Sequence, residues 1–398
     1  MRTNNTIKNS IASTISSIVT MLLGFISTAF FIRILNVEYL GLNGLFSNIL
    51  TMLSFFELGI GSAIIYNLYK PIADNDIEKV KSLMHFYRKA YNIIAISVFI
   101  CGLLILPFLN ILVGDVDIDI NIHLVYLLYL MSTVSSYLIA YKRSLIYANQ
   151  KNYIINVVHI FYLIILNFTQ ILIVFLTKNY YLYLIIKIVC QLLENIILNF
   201  IANKNYPFLK DKNIEKLDKR VEKNIFSKVK ALVFHKIGYI IVTGTDNIII
   251  SYFFGVITVG LYSNYYQIVG AVNTLASQFI NSSTASVGNL LVSKNTSHKI
   301  KIFKNLRFLN FWLATFCATS FLVIIQPFIQ VWVGKQYLLD KIVVFVIAFN
   351  LFQKNMRGTY NTFKDAAGIW EEDKFIPILE STLNIVFSIV FLKFFEEL

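Results

Sequence analysis

Charge is scarce in this chain. Asp, Glu, Lys and Arg make up 14% of its 398 residues, against roughly a quarter in an ordinary soluble domain. That deficit excludes a soluble enzyme of usual composition, and the apolar content excludes a disordered chain. Cysteine is scarce as well. Cys101, Cys190 and Cys317 each lie inside an apolar run, and none belongs to a CxxC or Cys/His cluster. No disulfide frame or zinc site is implied, and packing roles are expected. Catalytic patterns are missing too: no GxGxxG after a strand, P-loop, HExxH or GxSxG occurs. A glycosyltransferase or ligase would bring a soluble domain or a sizeable extramembrane loop, and the sequence has neither. It reads as a non-enzyme.

Apolar length is what the chain has in excess. Hydrophobic residues make up 57%, and a bilayer-crossing helix needs about 20 such residues in a row. Eleven runs qualify: 11–32, 42–69, 90–113, 121–141, 153–177, 180–202, 232–254, 256–292, 308–333, 340–363 and 375–395. The first is longer than a signal-peptide core and lacks a small-residue cleavage site, so a retained helix is expected. The run 256–292 is long for one span. Gly260 and Gly270 lie in it, and one tilted or bent helix is expected.

The net charge of +13 would suggest nucleic acid in a soluble protein. Here the basic residues cluster between apolar runs. Of the 35 Lys and Arg residues, 28 fall on one set of alternating connections and 5 on the other. The positive-inside rule then puts the N-terminus in the cytoplasm and Asp115, Asp117 and Asp119 outside. The largest basic segment is 203–231. Ile214, Leu217, Val221, Ile225, Val229 and Leu232 recur there every three or four residues. They predict an amphipathic helix on the inner leaflet. A solvated basic linker fits the segment equally well.

The two halves repeat. Gly41-Leu42 through Ile49 matches Gly260-Leu261 through Ile268 at an offset of 219. Pro107-Phe108 with Val113-Gly114 matches Pro327-Phe328 with Val333-Gly334, and Ala148 matches Ala367. Parallel repeats imply a symmetry axis along the membrane normal, with a site where the repeats meet. The expected fold is an all-α membrane protein of two six-helix lobes and about 11 transmembrane helices. The expected parts are a lobe at 1–202, a basic linker at 203–231 and a second lobe at 232–398. In this register the partner of the sixth span is missing from the second lobe, so a lobe short of one helix is expected.

Ionisable groups inside apolar spans are costly, and each is a functional candidate. The cavity candidates are Glu57, Arg143, Asp246, Arg357, Lys364 and Asp365. Arg and Lys suit a phosphate-bearing substrate, and a carboxylate suits H⁺ or Na⁺. Glu194, Lys187 and His159 are embedded as well. The competing role for all of them is pairing between helices or reaching to headgroups. The aromatic excess, 34 Phe, 23 Tyr and 3 Trp, is expected mostly as packing and interfacial belt, with Tyr180, Tyr181, Tyr183 and Trp332 as examples. Tyr262, Tyr265 and Tyr266 are candidates for lining a sugar path.

Several segments together resemble a known family. They are Asn9-Ser10 opening a Ser/Thr-rich helix, Arg33-Ile34-Leu35 before Glu38-Tyr39-Leu40-Gly41-Leu42, and Phe55-Phe56-Glu57-Leu58-Gly59-Ile60-Gly61. To these add Thr245-Asp246-Asn247-Ile248-Ile249-Ile250-Ser251 and Val259-Gly260-Leu261-Tyr262-Ser263-Asn264-Tyr265. The chain resembles the Wzx-type polysaccharide flippases of the multidrug/oligosaccharidyl-lipid/polysaccharide (MOP) exporter superfamily. That resemblance implies translocation of an undecaprenyl-diphosphate-linked oligosaccharide from the cytoplasmic to the outer leaflet of the bacterial inner membrane. It implies alternating access, a cationic cavity and H⁺ or Na⁺ coupling without a bound cofactor. It also implies membrane lipids, a polysaccharide polymerase and chain-length machinery as partners, and no nucleic acid. The family's usual architecture has at least twelve helices, from which this sequence departs at its C-terminus. The competing function is a MATE-like, cation-coupled multidrug exporter. A membrane-embedded polymerase or ligase ranks last, because the outer loops are short.

Overall fold

The structure is a computed structural model that describes residues 2–57, 60–114, 118–211, 214, 217–281, 287, 290–291, 296–367 and 375–396. For some helical residues, among them 226–243 and Asp365, only the backbone is described. Every regular element among the described residues is a helix. The chain forms two compact units, Met1–Val256 with Pro377–Leu398 and Ile257–Ile376. These units follow packing, whereas the lobes expected at 1–202 and 232–398, with a linker at 203–231, are an expectation drawn from the internal repeat.

The first unit opens with α1 (Arg2–Ile34), α2 (Val37–Leu53) and α3 (Ile60–Ala73). A 3₁₀ turn, Ser54–Glu57, ends α2, so the run 42–69 is built of two helices rather than one continuous helix. Gly59 and Gly61 lie in that stretch of sequence, and glycine is a poor helix former. Next come α4 (Ile77–Ile105), the short α5 (Leu109–Val113), α6 (Ile122–Tyr137) and α7 (Ala140–Ala148). Two long helices follow, α8 (Asn152–Thr177) and α9 (Tyr180–Asn205). Caps read from polar residues start several of them. Asp76 accepts from the Lys79 amide at 3.0 Å, and Asn121 and Asn179 accept from Leu124 and Leu182 at 3.1 Å. Each cap satisfies an amide that the helix leaves unpaired.

After a 3₁₀ turn at Pro207–Lys210, α10 begins at Lys219 and runs to Asn281, interrupted at Gly255 (φ 78°, ψ 165°). The helix expected over 214–232 therefore begins only at Lys219. It continues without a break into the following apolar run, rather than standing alone. The second unit adds α11 (Thr296–Trp332), α12 (Lys341–Met356) and α13 (Gly358–Ala367), and α14 (Ile376–Glu396) follows. Among the described residues, each of the eleven apolar runs lies mainly on helix. Seven described helical stretches are long and apolar enough to cross a membrane.

The solvation pattern is inverted relative to a soluble protein. Val331 is 81% exposed and Phe168 70%, whereas Glu194, Asn195, Gln170, Asn264 and Asn310 are buried. Lipid accepts the outward apolar side chains and cannot satisfy polar ones, so polarity turns inward. The matched repeat segments also share backbone. Gly114 and Gly334 both close their segments at positive φ, 69° and 124°. The first helix of each repeat yields to the second at matched positions, Asn36 (ψ 172°) and Gly255.

Candidate functional site

Helix α9 carries a polar stripe through an otherwise apolar sequence. Tyr180, Tyr183, Lys187, Gln191, Glu194 with Asn195, Asn199 and Asn203 follow one another at three- or four-residue steps. That spacing keeps them on one face. At about 1.5 Å per residue the stripe is about 35 Å long, enough to span a hydrocarbon core of about 30 Å. The neighbouring helices answer it group by group.

At one end the Tyr180 and Tyr129 hydroxyls lie 3.0 Å apart, and the Tyr129 hydroxyl donates to Asn43 Oδ1. Tyr180 is thus a buried network member rather than a belt residue. Next along the stripe, Lys187 Nζ sits 5.1 Å from the centre of the Tyr129 ring, within cation–π range. Among the described residues no carboxylate pairs with Lys187. It lines a cavity of about 260 Å³ with Ser47, Leu50, Thr51 and Ser54 from the α2 segment and Tyr129 and Thr133 from α6. Thr51, Ser54 and Thr133 each donate their hydroxyl proton to a carbonyl of their own segment, at 2.7, 2.6 and 3.1 Å. Their oxygens remain as acceptors toward the cavity. The cavity therefore offers one cation and a ring of acceptors. Its volume falls just short of the roughly 300–1,000 Å³ that encloses a whole small ligand.

Deeper along α9, Ser132 donates to Gln191 Oε1 at 2.9 Å, and Asn195 donates to the Ser135 carbonyl at 2.8 Å. Glu194 then holds two partners. Its Oε2 lies 3.1 Å from Arg143 Nη2 and its Oε1 3.0 Å from His159 Nδ1. Arg143 also donates to Asn195 Oδ1 at 3.0 Å. At the far end Lys142 donates to the side-chain oxygens of Asn199 and Asn203.

The sequence-predicted cavity residues are distributed as follows. Arg143 joins the Glu194 cluster. Glu57, half-buried in the 3₁₀ turn after α2, accepts from the Tyr91 hydroxyl at 3.3 Å. Asp246 lies half-buried on α10 between the buried Thr245 and Asn247. Arg357 is exposed at the end of α12, and Lys364 is half-buried on α13. The Asp365 side chain lies outside the described residues, as do the backbones of Asp115 and Asp117. Lys187 is the residue that reading ions one at a time undervalued. The recurrence of polar residues every three or four positions along 180–203 was the signal that would have singled it out. In the second unit Tyr265 is fully buried, donates to Gln326 Oε1 at 3.1 Å and accepts from the Leu339 amide at 3.0 Å. It packs as a core residue. The three cysteines are unpaired.

A family profile described as "Polysaccharide biosynthesis protein" matches residues 6–287. The chain belongs to that family. Solved structures resembling this polysaccharide biosynthesis protein include a mutant of the Vibrio cholerae MATE transporter VcmN. It has TM-score 0.60 and 10% identity, covering 98% of this chain and 87% of that one. Another is a multidrug resistance MATE family transporter of the MOP superfamily in an inward-facing conformation. It has TM-score 0.56 and 11% identity, covering 93% and 83%. At such identities the likeness concerns the fold. No curated protein sequence matches this one significantly. This member of the polysaccharide biosynthesis family is a multi-pass membrane protein with the fold of MOP-superfamily transporters.

Proposed function

We propose that the protein is a flippase for an undecaprenyl-diphosphate-linked oligosaccharide. On this reading it carries the repeat unit from the cytoplasmic to the outer leaflet of the bacterial inner membrane by alternating access. The polymer would be a capsule, exopolysaccharide or O-antigen, and the product would pass to a polymerase and chain-length machinery. Driving by an H⁺ or Na⁺ gradient is part of the same reading. Family and fold support a membrane flippase or transporter.

The observation that carries the lipid-linked substrate is the Lys187 cavity. A lysine inside a membrane helix is costly without a counter-charge, and a bound phosphate would supply one. The hydroxyl oxygens around it accept from sugar hydroxyls as readily as water does. An organic cation, the cargo of a drug exporter, would meet repulsion there.

The test is complementation in a bacterium lacking its own repeat-unit flippase, with surface polymer and membrane abundance measured together. Lys187→Gln is expected to lower polymer at least tenfold at unchanged abundance, and Lys187→Arg to retain most of it. Full polymer from Lys187→Gln would overturn the assignment. Efflux of an organic cation without any polymer would favour the exporter.

A further inference from the structure

Helix α10 carries a second polar stripe, in the unit Ile257–Ile376. Tyr262, Tyr266, Gly270, Asn273 with Thr274, and Ser277 follow one another at three- or four-residue steps, which keeps them on one face. The Tyr262 and Tyr266 rings lie 5.5 Å apart with their planes inclined by 30°, and Tyr266 is 39% exposed. One turn further, a Cβ added to Gly270 would meet nothing within 4 Å, so the rings border open space. Asn273 Oδ1 accepts from the Asn355 amide of α12 at 2.9 Å. That bond orients the Asn273 amide without using its Nδ2 protons. The exposed Thr274 and Ser277 hydroxyls donate to carbonyls of α10 at 2.8 and 3.0 Å, and their oxygens stay available as acceptors.

Depth sets this face apart from an interfacial belt. Counted from Gly255, where one apolar run ends and the next begins, Tyr266 lies about 16 Å along the helix. That is near the middle of a hydrocarbon core about 30 Å thick, whereas belt tyrosines sit at headgroup level. Lipid chains offer nothing to the exposed hydroxyls beside it. The repeat adds an independent pointer. Ser47, Thr51 and Ser54, which line the Lys187 cavity from the α2 segment, map at an offset of 219 to Tyr266, Gly270 and Asn273. The face that borders a cavity in one repeat carries the aromatic pair in the other.

We infer that this α10 face is a saccharide-binding site, in which Tyr262 and Tyr266 stack on a sugar ring beside Gly270 while Asn273, Thr274 and Ser277 bond its hydroxyls. This rests on the reading of the substrate as a lipid-linked oligosaccharide, whose sugars the Lys187 cavity of about 260 Å³ is too small to enclose. A sugar ring has an apolar C–H face and a polar rim. The negative face of an aromatic ring attracts the first, and neutral amide and hydroxyl groups pair with the second. Between 256 and 281 there is no Asp, Glu, Lys, Arg or His, so the face favours neither an anion nor an organic cation. From Tyr262 to Ser277 it is about 22 Å long, room for several rings in a row.

The experiment is equilibrium binding to the purified full chain in detergent. The probes are farnesyl diphosphate carrying glucose, galactose or N-acetylglucosamine on its terminal phosphate, and the methyl ester of farnesyl diphosphate, which matches their charge. Wild type is expected to bind at least one sugar conjugate roughly fivefold more tightly than the methyl ester. Tyr266→Leu and Gly270→Leu are expected to lose that preference and keep the affinity for the methyl ester. Tyr266→Phe, which keeps the ring, is expected to retain the preference. Gly270→Leu grows into open space and replaces a poor helix former, so it separates loss of the site from loss of the fold. A preference unchanged in Tyr266→Leu and Gly270→Leu, or absent in wild type for all three sugars, would overturn the saccharide site alone. Unimpaired binding of the methyl ester by Lys187→Gln, or no binding of any probe by wild type, would overturn the lipid-linked reading beneath it.

Discussion

Arg143 shows how a buried charge is held where water is excluded. Its guanidinium reaches Glu194 and Asn195 at 3.1 and 3.0 Å, while His159 takes the other carboxylate oxygen. Removing Arg143 leaves one buried carboxylate oxygen without its charge partner, at a cost of about 3 kcal/mol. Arg143→Ala is expected to lower the thermal midpoint in detergent by that equivalent. Arg143→Lys, which restores the charge but not the planar fork, is expected to recover part of it. An Arg143→Ala midpoint equal to wild type would mean that water already reaches Glu194. Lys142 differs in kind, because two neutral amide oxygens solvate it rather than a carboxylate. In the sequence the two are adjacent basic residues just after the run 121–141, with no means of telling the paired one from the solvated one.

At the scale of helices, close approach is set by glycine. A Cβ on Gly41 of α2 would stand 2.0 Å from the Val256 carbonyl oxygen, a backbone atom that cannot rotate away. On Gly102 of α4 it would meet the Leu130 side chain at 2.4 Å, which can change rotamer. Overpacking of the second kind costs roughly 1–3 kcal/mol. Gly41→Ala is expected to cost more, because the segments must separate. Thermal unfolding in detergent should rank Gly41→Ala below Gly102→Ala, and the reverse order would show that the Val256 segment shifts easily. Gly41 belongs to the stretch that repeats at Gly260, so the repeat drew attention to it before any contact was known. Helix breaks were partly legible too. The glycines around Glu57 signalled the one after α2. Gly358 stands in the same way at the division between α12 and α13, although 340–363 reads as one apolar run.

For the whole molecule, orientation follows from the charge count. With 28 Lys and Arg on one set of connections and 5 on the other, translocating the basic connections is the costly choice. The N-terminus and the 203–231 segment are expected in the cytoplasm, and Asp119 outside. In a chain stripped of Cys101, Cys190 and Cys317, Asp119→Cys should react with an impermeant maleimide in intact cells, and a cysteine placed at Lys210 should not. Labelling of the Lys210 position alone would invert the topology. That result would also reverse the leaflet in which the proposed substrate is captured.

The sequence alone determined the class of the protein. Apolar runs of membrane length, charge asymmetry and a 219-residue repeat are one-dimensional signals, because a bilayer imposes its constraint on each segment independently. Resemblance carried in short motifs located the family that the profile then matched. The tertiary structure decided the partners. Arg143 meets Glu194 across 51 positions of sequence, and Lys187 lines one cavity with the α2 hydroxyls more than 130 positions away. No local pattern encodes those distances. Inside a membrane the role of an ion depends on what stands opposite it, since burial is bearable only with a counter-charge or a hydrogen bond. Only the folded chain supplies that neighbour.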